Sequence, residues 1–448
     1  MSRDLGRQEH AIVIGGGMAG LSSAAVLARH FSRVTIIDRD IPPKSPEVRP
    51  GVPQGKHVHV LLTRGWRLLD ELFPGLDERL QGAGAKPVDW VNDVIWETPF
   101  GRSPRIASDL RSRLCSRPLL EHAVRSELLA NPKVRLLGGH EVTGLQSTGH
   151  PARVVGVTVQ ARARAEQGEL SPEDLRGDLV IDTSGRGSKA PLWLEALGYE
   201  TPEETIIDAR LGYASRIYRK RPEVNWNVLY VMNRAPSVPL SGVIYEIEND
   251  QWIVTLVGYN GHFPPTDEAG FLECAKGLAK ATIYDAIVDA EPLSKIHGYR
   301  RTENRVRHFE RLRRWPTGLL VLGDASCALN PVYGQGMTLA AIATSVLDDL
   351  LRARPPADRL GALFQRRLAA ASKDPFTTAT GDDLRWPKTS GKVPRGLRLM
   401  HSLVDRVMSA ATSDPRIHLR LMEVLQMTRP TSALMRPRLL AKALRARV

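Results

Sequence analysis

Hydrophobic and polar positions follow three regimes along the chain. Near the start, the apolar run Ala11–Ile14 ends in Gly15-Gly16-Gly17-Met18-Ala19-Gly20, and a helix-like stretch of small and apolar residues follows. Val34-Thr35-Ile36-Ile37 and an acid, Asp38, come next. That order predicts strand, helix, strand. Residues 41–55 are a Pro/Gly-rich loop, and residues 56–73 turn apolar with helix-like spacing. Leu119, Leu120, Val124 and Leu128 predict an amphipathic helix over 116–130, capped by Ser116. Strand-like segments follow at 134–137, 141–145, 154–160 and 178–182. From 207 to 261 aromatic and β-branched residues alternate with polar ones in four stretches, as in a sheet with one buried face. Residues 267–290 read as helical, and Leu319–Leu322 as a last buried strand. Beyond about 365 the pattern is helical. One apolar stripe runs through Leu399, Met400, Leu403, Val404 and Val407, and another through Ile417, Leu421, Val424 and Leu425. Pro394, Pro415, Pro430 and Pro437 punctuate this region.

The order predicts an α/β chain in which one domain interrupts another, since 448 residues are too many for a single core. A Rossmann-type domain with a parallel sheet is expected over 1–85, 105–200 and 297–365. A mostly antiparallel β-sheet domain is expected over 86–104 and 201–296, and a helical region over 366–448.

Composition narrows this picture. A hydrophobic fraction of 42% is ordinary for a globular protein. Three widely spaced cysteines form neither a disulfide framework nor a metal motif, which suits a reducing cytoplasm. No run of about 20 apolar residues and no signal-like N-terminus appears, so a cytoplasmic chain is expected. Net charge is +13, and residues 391–448 hold twelve Lys/Arg against three Asp/Glu. That tail is either a solvated helical face or an anionic-membrane contact. Without interleaved aromatics it does not read as a nucleic-acid binder.

The glycine-rich turn is a dinucleotide fingerprint in its full context. Gly15 serves the tight turn, Gly17 the close approach of a pyrophosphate, and Gly20 the packing of helix on strand. Met18 and Ala19 complete the turn, and the helix N-terminus offers free N–H groups to phosphates. Asp38, 18 residues past Gly20, is placed to accept a ribose hydroxyl. A second signature spans Gly323-Asp324-Ala325-Ser326-Cys327-Ala328-Leu329-Asn330-Pro331-Val332-Tyr333-Gly334-Gln335-Gly336-Met337-Thr338. A buried strand delivers Asp324 at its carboxyl end, where it can bond a ribityl hydroxyl. Pro331 to Gly336 makes a loop suited to a planar ring, and a helix starting near Met337 points its positive end there. His57 and His59 lack a third ligand nearby, so no metal is expected.

Three motifs, GGGMAG with Asp38, Asp182-Thr183-Ser184-Gly185-Arg186-Gly187-Ser188, and GDASCALNPVYGQGM, resemble the single-component FAD-dependent monooxygenases of the aromatic-hydroxylase fold. The segments Arg49-Pro50-Gly51-Val52-Pro53-Gln54-Gly55-Lys56-His57-Val58-His59 and Ala190-Pro191-Leu192-Trp193-Leu194 are similar to bacterial flavin epoxidases of polyene polyketides and terpenoids. Gly336-Met337-Thr338 resembles the squalene-epoxidase version. The resemblance implies that FAD is held by the 15–20 turn, by Asp38 with Arg39 beside it, and by Arg117. It adds a backbone contact from Val142, then Asp324, and finally Pro331, Gly334, Gly336 and Met337 at the ring. Gln54 and His57 touch flavin or substrate, or simply pack the loop; Arg117 and Val142 also have plain structural readings. Thr338 stands where aromatic hydroxylases carry Asn, and Thr183 and Ser184 stretch the central Asp-Gly motif, which bears on how NAD(P)H is contacted.

The implied chemistry is epoxidation of a carbon–carbon double bond in a hydrophobic polyketide or terpenoid of secondary metabolism. NADPH or NADH and O2 act through a flavin C4a-hydroperoxide, which needs no protein nucleophile; no catalytic side chain is assigned. Electrons come from NAD(P)H directly or through a separate flavin reductase. Tyr213, Tyr218, Tyr230, Tyr245, Trp252 and Tyr259 are candidate lining residues of the substrate sheet. The rival readings are an aromatic or indole hydroxylase, a prenyl reductase and a non-redox FAD-containing cyclase. No second GxGxxG in strand–helix context, no Cys-x-x-x-x-Cys and no Trp-x-Trp-x-Ile-Pro occurs. These absences count against Baeyer–Villiger oxygenases, disulfide reductases and flavin halogenases.

Overall fold

The structure is a computed structural model that describes residues 9–162 and 171–446. Five parallel strands form its first layer, in the order Leu319–Val321, Leu179–Asp182, His10–Ile14, Arg33–Asp38 and Val134–Gly138. Both faces of this sheet are covered, as its near-continuous apolar strands require. Ala11 and Val13 pack among the helices Met18–His30, Arg117–Leu129 and Gly336–Ala353. Ile12 and Ile14 turn the other way, against Val142, Val154, Val157 and Trp193.

The second layer is a seven-stranded sheet. Its order is His297–Tyr299, Gly212–Arg219, Gln251–Gly258, Leu240–Ile247, Val228–Val231, Val94–Thr98 and Gly101–Arg102. Every pairing is antiparallel except Val228–Val231 against Val94–Glu97. Strand alternation gives the sheet two faces of different fate. Ala214, Tyr218, Leu229, Ile244, Trp252, Val254 and Leu256 form the back face, sealed by the helices Glu268–Lys276 and Thr282–Ile287. Tyr213, Ser215, Ile217, Val243, Tyr230 and Thr255 lie on the front, in register across the strands. The front is also covered by C-terminal helices, since Val407, Met408, Ile417, Leu421 and Met422 pack with Tyr245 and Ile253.

Four sequence expectations shift. Only Thr63–Leu72 of the 56–73 stretch is helical; Pro53–Lys56 is a 3-10 turn. Residues 57–62 stay non-helical because that stretch is held against the large sheet, where the Val58 N–H donates to Thr255 Oγ1 at 3.2 Å. The 267–290 region is two helices, the first capped by Asp267 and ended at Gly277. His297–Tyr299, the expected point of return to the first domain, pairs instead with Tyr213–Ser215 in the large sheet. In the helix Leu397–Ala411 the buried face is Leu397, Val407, Met408, Ala410 and Ala411, while Leu399, Met400 and Val404 are exposed. Of the apolar stripe, only Val407 is buried and Leu403 half-buried, so most of it faces away from the core.

The glycine turn separates packing from ligand space. A Cβ on Gly20 would lie 1.8 Å from the Gly15 carbonyl oxygen, whereas one on Gly17 would meet nothing within 4 Å. Gly20→Ala should therefore lower stability by about 1–3 kcal/mol through overpacking. Gly17→Ala should leave thermal unfolding of the apoprotein unchanged, and melting curves of the two variants check this.

Candidate functional site

The first helix begins at Met18 with no side-chain cap and no acid in its first turn, so no side chain takes up its N-terminal N–H groups and partial positive charge. Gly15 adopts φ +103°, a conformation that favours glycine, and its carbonyl accepts from Thr183 Oγ1 at 3.0 Å. The Gly323-Asp324 turn rests directly on this helix start, because a Cβ on Gly323 would lie 2.9 Å from the Ala19 Cβ. The two glycine signatures, three hundred residues apart in the chain, therefore meet at one cleft.

Asp324 lies in that cleft with 38% of its side chain open and Arg186 Nε 3.9 Å away. Burial pushes its carboxyl pKa up, and Arg186 and Arg117 pull it back. Gly336 is on the other side, its Cβ position 4.0 Å from Asp324 Oδ1. Arg186 is anchored by donating to the carbonyls of Glu303 and Leu329, both at 2.6 Å. Its Nε is buried without a hydrogen-bond partner, as are Arg117 Nε and Gln335 Oε1; Thr338 Oγ1 is unpaired too, but it faces Gly65 of the helix Thr63–Leu72. Buried polar atoms are ordinarily satisfied, and the unpaired Arg186 Nε, Arg117 Nε and Gln335 Oε1 leave capacity for a polar ligand here, although unpaired buried atoms also occur elsewhere among the described residues. With the bare Gly17 and the uncapped helix, the donor set fits a pyrophosphate-bearing dinucleotide such as FAD.

Asp38 is buried and already engaged. Its carboxylate accepts from the Gly16 N–H at 2.5 Å, the Asp40 N–H at 2.8 Å and Arg49 Nη1 at 3.1 Å. Arg49 also donates to Asp40 Oδ2 at 2.9 Å, Glu121 Oε1 at 2.7 Å and the Gly16 carbonyl at 3.1 Å. Arg117 reaches Glu121 Oε2 at 3.2 Å. Burial opposes ionisation of Glu121, but Arg117 and Arg49 outweigh it and hold its pKa below the ordinary range. Arg39 is exposed, and Val142 packs with Ile37 and Val159 in the core.

Where the loop 52–62 meets the front of the large sheet, His57 Nδ1 shares a hydrogen bond with Ser215 Oγ at 2.8 Å, and Ser215 Oγ with Thr255 Oγ1 at 2.6 Å. The His57 ring meets Tyr213 edge-on at 4.7 Å, Tyr213 stacks on Tyr299 at 5.3 Å, and Gln54 Nε2 donates to Tyr299 Oη at 3.2 Å. Burial first, then His297 and Lys56, lowers the His57 pKa to about 4, so the ring is neutral at pH 7. Gly334 adopts φ +65°, and its Cβ position would sit 3.0 Å from the Val60 Cβ, bringing the 331–336 loop against this same segment.

The structure thus gathers Gly15, Gly17, Met18, Ala19, Gly20, Arg117, Asp324, Gly336 and Met337 around one cleft. Gln54, His57, Pro331 and Gly334 belong to the loops at its sheet-side end, and Tyr218 and Trp252 are removed to the back face. Sequence reasoning gave no role to Arg49, Glu121, Arg186 or Gln335. Arg49, Arg186 and Gln335 lay inside quoted motifs and Glu121 inside the helix expected over 116–130, so a signal existed.

The FAD-binding-domain family model matches residues 8–350. Protein Rv3254 of Mycobacterium tuberculosis is 31% identical over 416 residues, covering 91% of this chain and 87% of that protein. Kynurenine 3-monooxygenase of Salinispora arenicola is 27% identical, covering 85% and 81%. Squalene monooxygenase of Mus musculus is 22% identical, covering 80% and 57%. Among solved structures, the flavin-dependent brominase Bmp2 shares the fold, with TM-score 0.65, 13% identity and 93% of each chain covered. Among the described residues no helix is long and apolar enough to cross a membrane, and no group of three or more metal-ligating side chains occurs.

Two variants probe this geometry. Asp324→Ala should lose most bound flavin colour on purification. Arg49→Ala should cost about 3–5 kcal/mol by stranding buried carboxylates, read by denaturant unfolding. The Glu121 share of that tie has a pH sign. A depressed acid stabilises above its unfolded pKa, so its contribution falls as pH is lowered through and below the ordinary carboxylate range. On motif, fold and family match together, the chain belongs to the FAD-binding-domain family and is an FAD-dependent monooxygenase.

Proposed function

We propose that this monooxygenase epoxidises a carbon–carbon double bond of a hydrophobic polyketide or terpenoid, with NADPH or NADH as electron donor. What carries this reading is the front of the large sheet. Ile217, Tyr230 and Val243 sit on interior strands, yet they remain partly exposed, as do Val58, Val60, Met232 and Leu425 around them. On the same face Ser215, Tyr245 and Ile253 are buried, as are the back-face residues Leu229, Ile244 and Val254, so the partial exposure is confined to one apolar patch. A long, uncharged substrate lying over that patch would cover it. The similarity to a squalene monooxygenase supports the same substrate class.

FAD supplies acceptance of a hydride equivalent and activation of O2 for transfer of one oxygen atom. The residues we assign to it are the 15–20 turn, Asp38 for the adenosine ribose through acceptor capacity beyond its bonds to Gly16, Asp40 and Arg49, with Arg39 beside it, Val142 through its backbone, Arg117, Asp324 and the Pro331–Met337 loop. The protein's own work is to orient the alkene and exclude water. His57 remains neutral, and its ring is held by Ser215, so it presents an uncharged hydrogen-bonding wall beside the aromatic pair Tyr213 and Tyr299. Gln54 steadies that pair. The three cysteines are unpaired, which fits the reducing cytoplasm expected for the chain.

Purified protein given NADPH, isotopically labelled O2 and an isoprenoid polyene should yield a product with one labelled oxygen bridging a former double bond. Label on an aromatic carbon of an indole or phenol substrate, with polyenes untouched, would replace this reading with hydroxylation. Product gaining two hydrogens and no oxygen would make the chain a reductase.

A further inference from the structure

Behind the ring loop lies a buried carboxylate that the assigned function does not use. Asp383 is the last residue of the helix Ala357–Asp383 and is 0% exposed. Four hydrogen bonds converge on it, all from neutral donors. Asn304 Nδ2 donates to Oδ2 at 2.6 Å, Asn330 Nδ2 to both oxygens at 3.2 Å, and Tyr333 Oη to Oδ1 at 2.6 Å. Asn330 in turn accepts from the Val332 N–H and donates its own N–H to Asn304 Oδ1 at 2.8 Å. The start of the Pro331–Gly336 loop is therefore tied to the C-terminal helical region through one acid. Among the described residues no cation pairs with it. An ionised acid without a cation is costly to bury, and plain loop anchoring would not require one.

The surrounding groups allow a second state. Tyr333 Oη is also 3.1 Å from Asp382 Oδ2. Asp382 has 39% of its side chain exposed and pairs with Arg385, which also holds Asp405. The other titratable groups facing the cluster are Tyr259, beside Asp382 and Asp383, Tyr230, beside Asp382 and Tyr259, and His401, whose ring is taken up by the Gly381 carbonyl. We propose that Asp383 is the positioning residue of the flavin-edge loop and that a proton passed from Asp382 through Tyr333 switches its grip. The inference rests on the reading that this loop borders the flavin ring.

The step balances. A proton arriving at Asp382 moves to the Tyr333 oxygen as the Tyr333 hydrogen moves to Asp383. Tyr333 ends neutral with its hydrogen aimed at Asp382, and the new Asp383 O–H donates to the Tyr333 oxygen. Burial, opposed by Tyr333 and Asn330, raises the Asp383 pKa to about 7, so both states are within reach near neutrality. Ionised Asp383 makes charge-assisted bonds to Asn330 and grips the loop more firmly than the neutral acid.

The test is FAD affinity of the refilled apoprotein from pH 5.5 to 8.5, read by flavin fluorescence quenching. Wild type should bind about fivefold tighter at the alkaline end, on the strength of charge-assisted bonds, with an inflection near pH 7. Asp383→Asn should abolish the inflection, and Tyr333→Phe, lacking one donor to the ionised acid, should move it to higher pH. Should Asp383→Asn fail to fold by circular dichroism, the Tyr333→Phe shift decides. A flat wild-type profile, or an inflection left unchanged by the variants that fold, overturns the proposal. Asp324→Ala measured alongside separates the two levels: full affinity there would remove the flavin-site reading itself, whereas its loss with flat pH profiles would remove only the switch.

Discussion

The dinucleotide half of this molecule depends on the guanidinium of Arg49. It is buried among Asp38, Asp40 and Glu121 and also bonds the Gly16 carbonyl. One cation thereby joins the glycine turn, the end of the second strand, the Pro/Gly loop and the helix Arg117–Leu129. Three carboxylates so close would repel one another without it, and in a low-dielectric interior that repulsion is large. Because the Pro/Gly loop is tied at Arg49, the segment after it is delivered to the large sheet, where His57 meets Ser215 and Tyr213. A charge cluster at the adenosine end thus sets where the sheet-side end of the cleft begins.

The second constraint is the pleat of the large sheet. Alternation sends Tyr218 and Trp252 to the helix-covered back and Tyr213, Ser215 and Tyr230 to the front. The back is closed by apolar packing and the front only partly so. The C-terminal helices cover one part of it, and the loops carrying His57 and Val60 approach another. The architecture gives two chemically different ends to one cleft. The charged end carries Arg117, Arg186 and a helix N-terminus, and the neutral end carries tyrosines, a neutral histidine and aliphatic side chains.

Much of this is legible in the sequence. The turn at Gly15–Gly20 and the Gly323-Asp324 signature are local, and their chemistry is dictated by backbone conformation and by where a strand ends. The helix capped by Ser116 followed from periodicity and appears as Arg117–Leu129, with the Ser116 hydroxyl accepting from Leu119 N–H. What escaped was tertiary. The facing of each tyrosine depends on strand register, which alternation alone leaves ambiguous by one residue. The outward face of Leu399, Met400 and Val404 could not be told from a core stripe, because periodicity marks a face and not its partner. Asp383 had no motif around it, and its importance comes from Asn304, Asn330 and Tyr333, which only folding brings to it.

The most direct test of the account is a crystal structure of the FAD-loaded protein. The account predicts the pyrophosphate at the N–H groups of Met18–Gly20, with Asp324 and Arg117 alongside. The isoalloxazine edge should lie within hydrogen-bonding distance, about 3 Å, of the Gly336 or Met337 N–H. The His57–Tyr213 side of the sheet should face the ring. A flavin seated away from Asp324, or a ring turned toward the back face of the sheet, would contradict it.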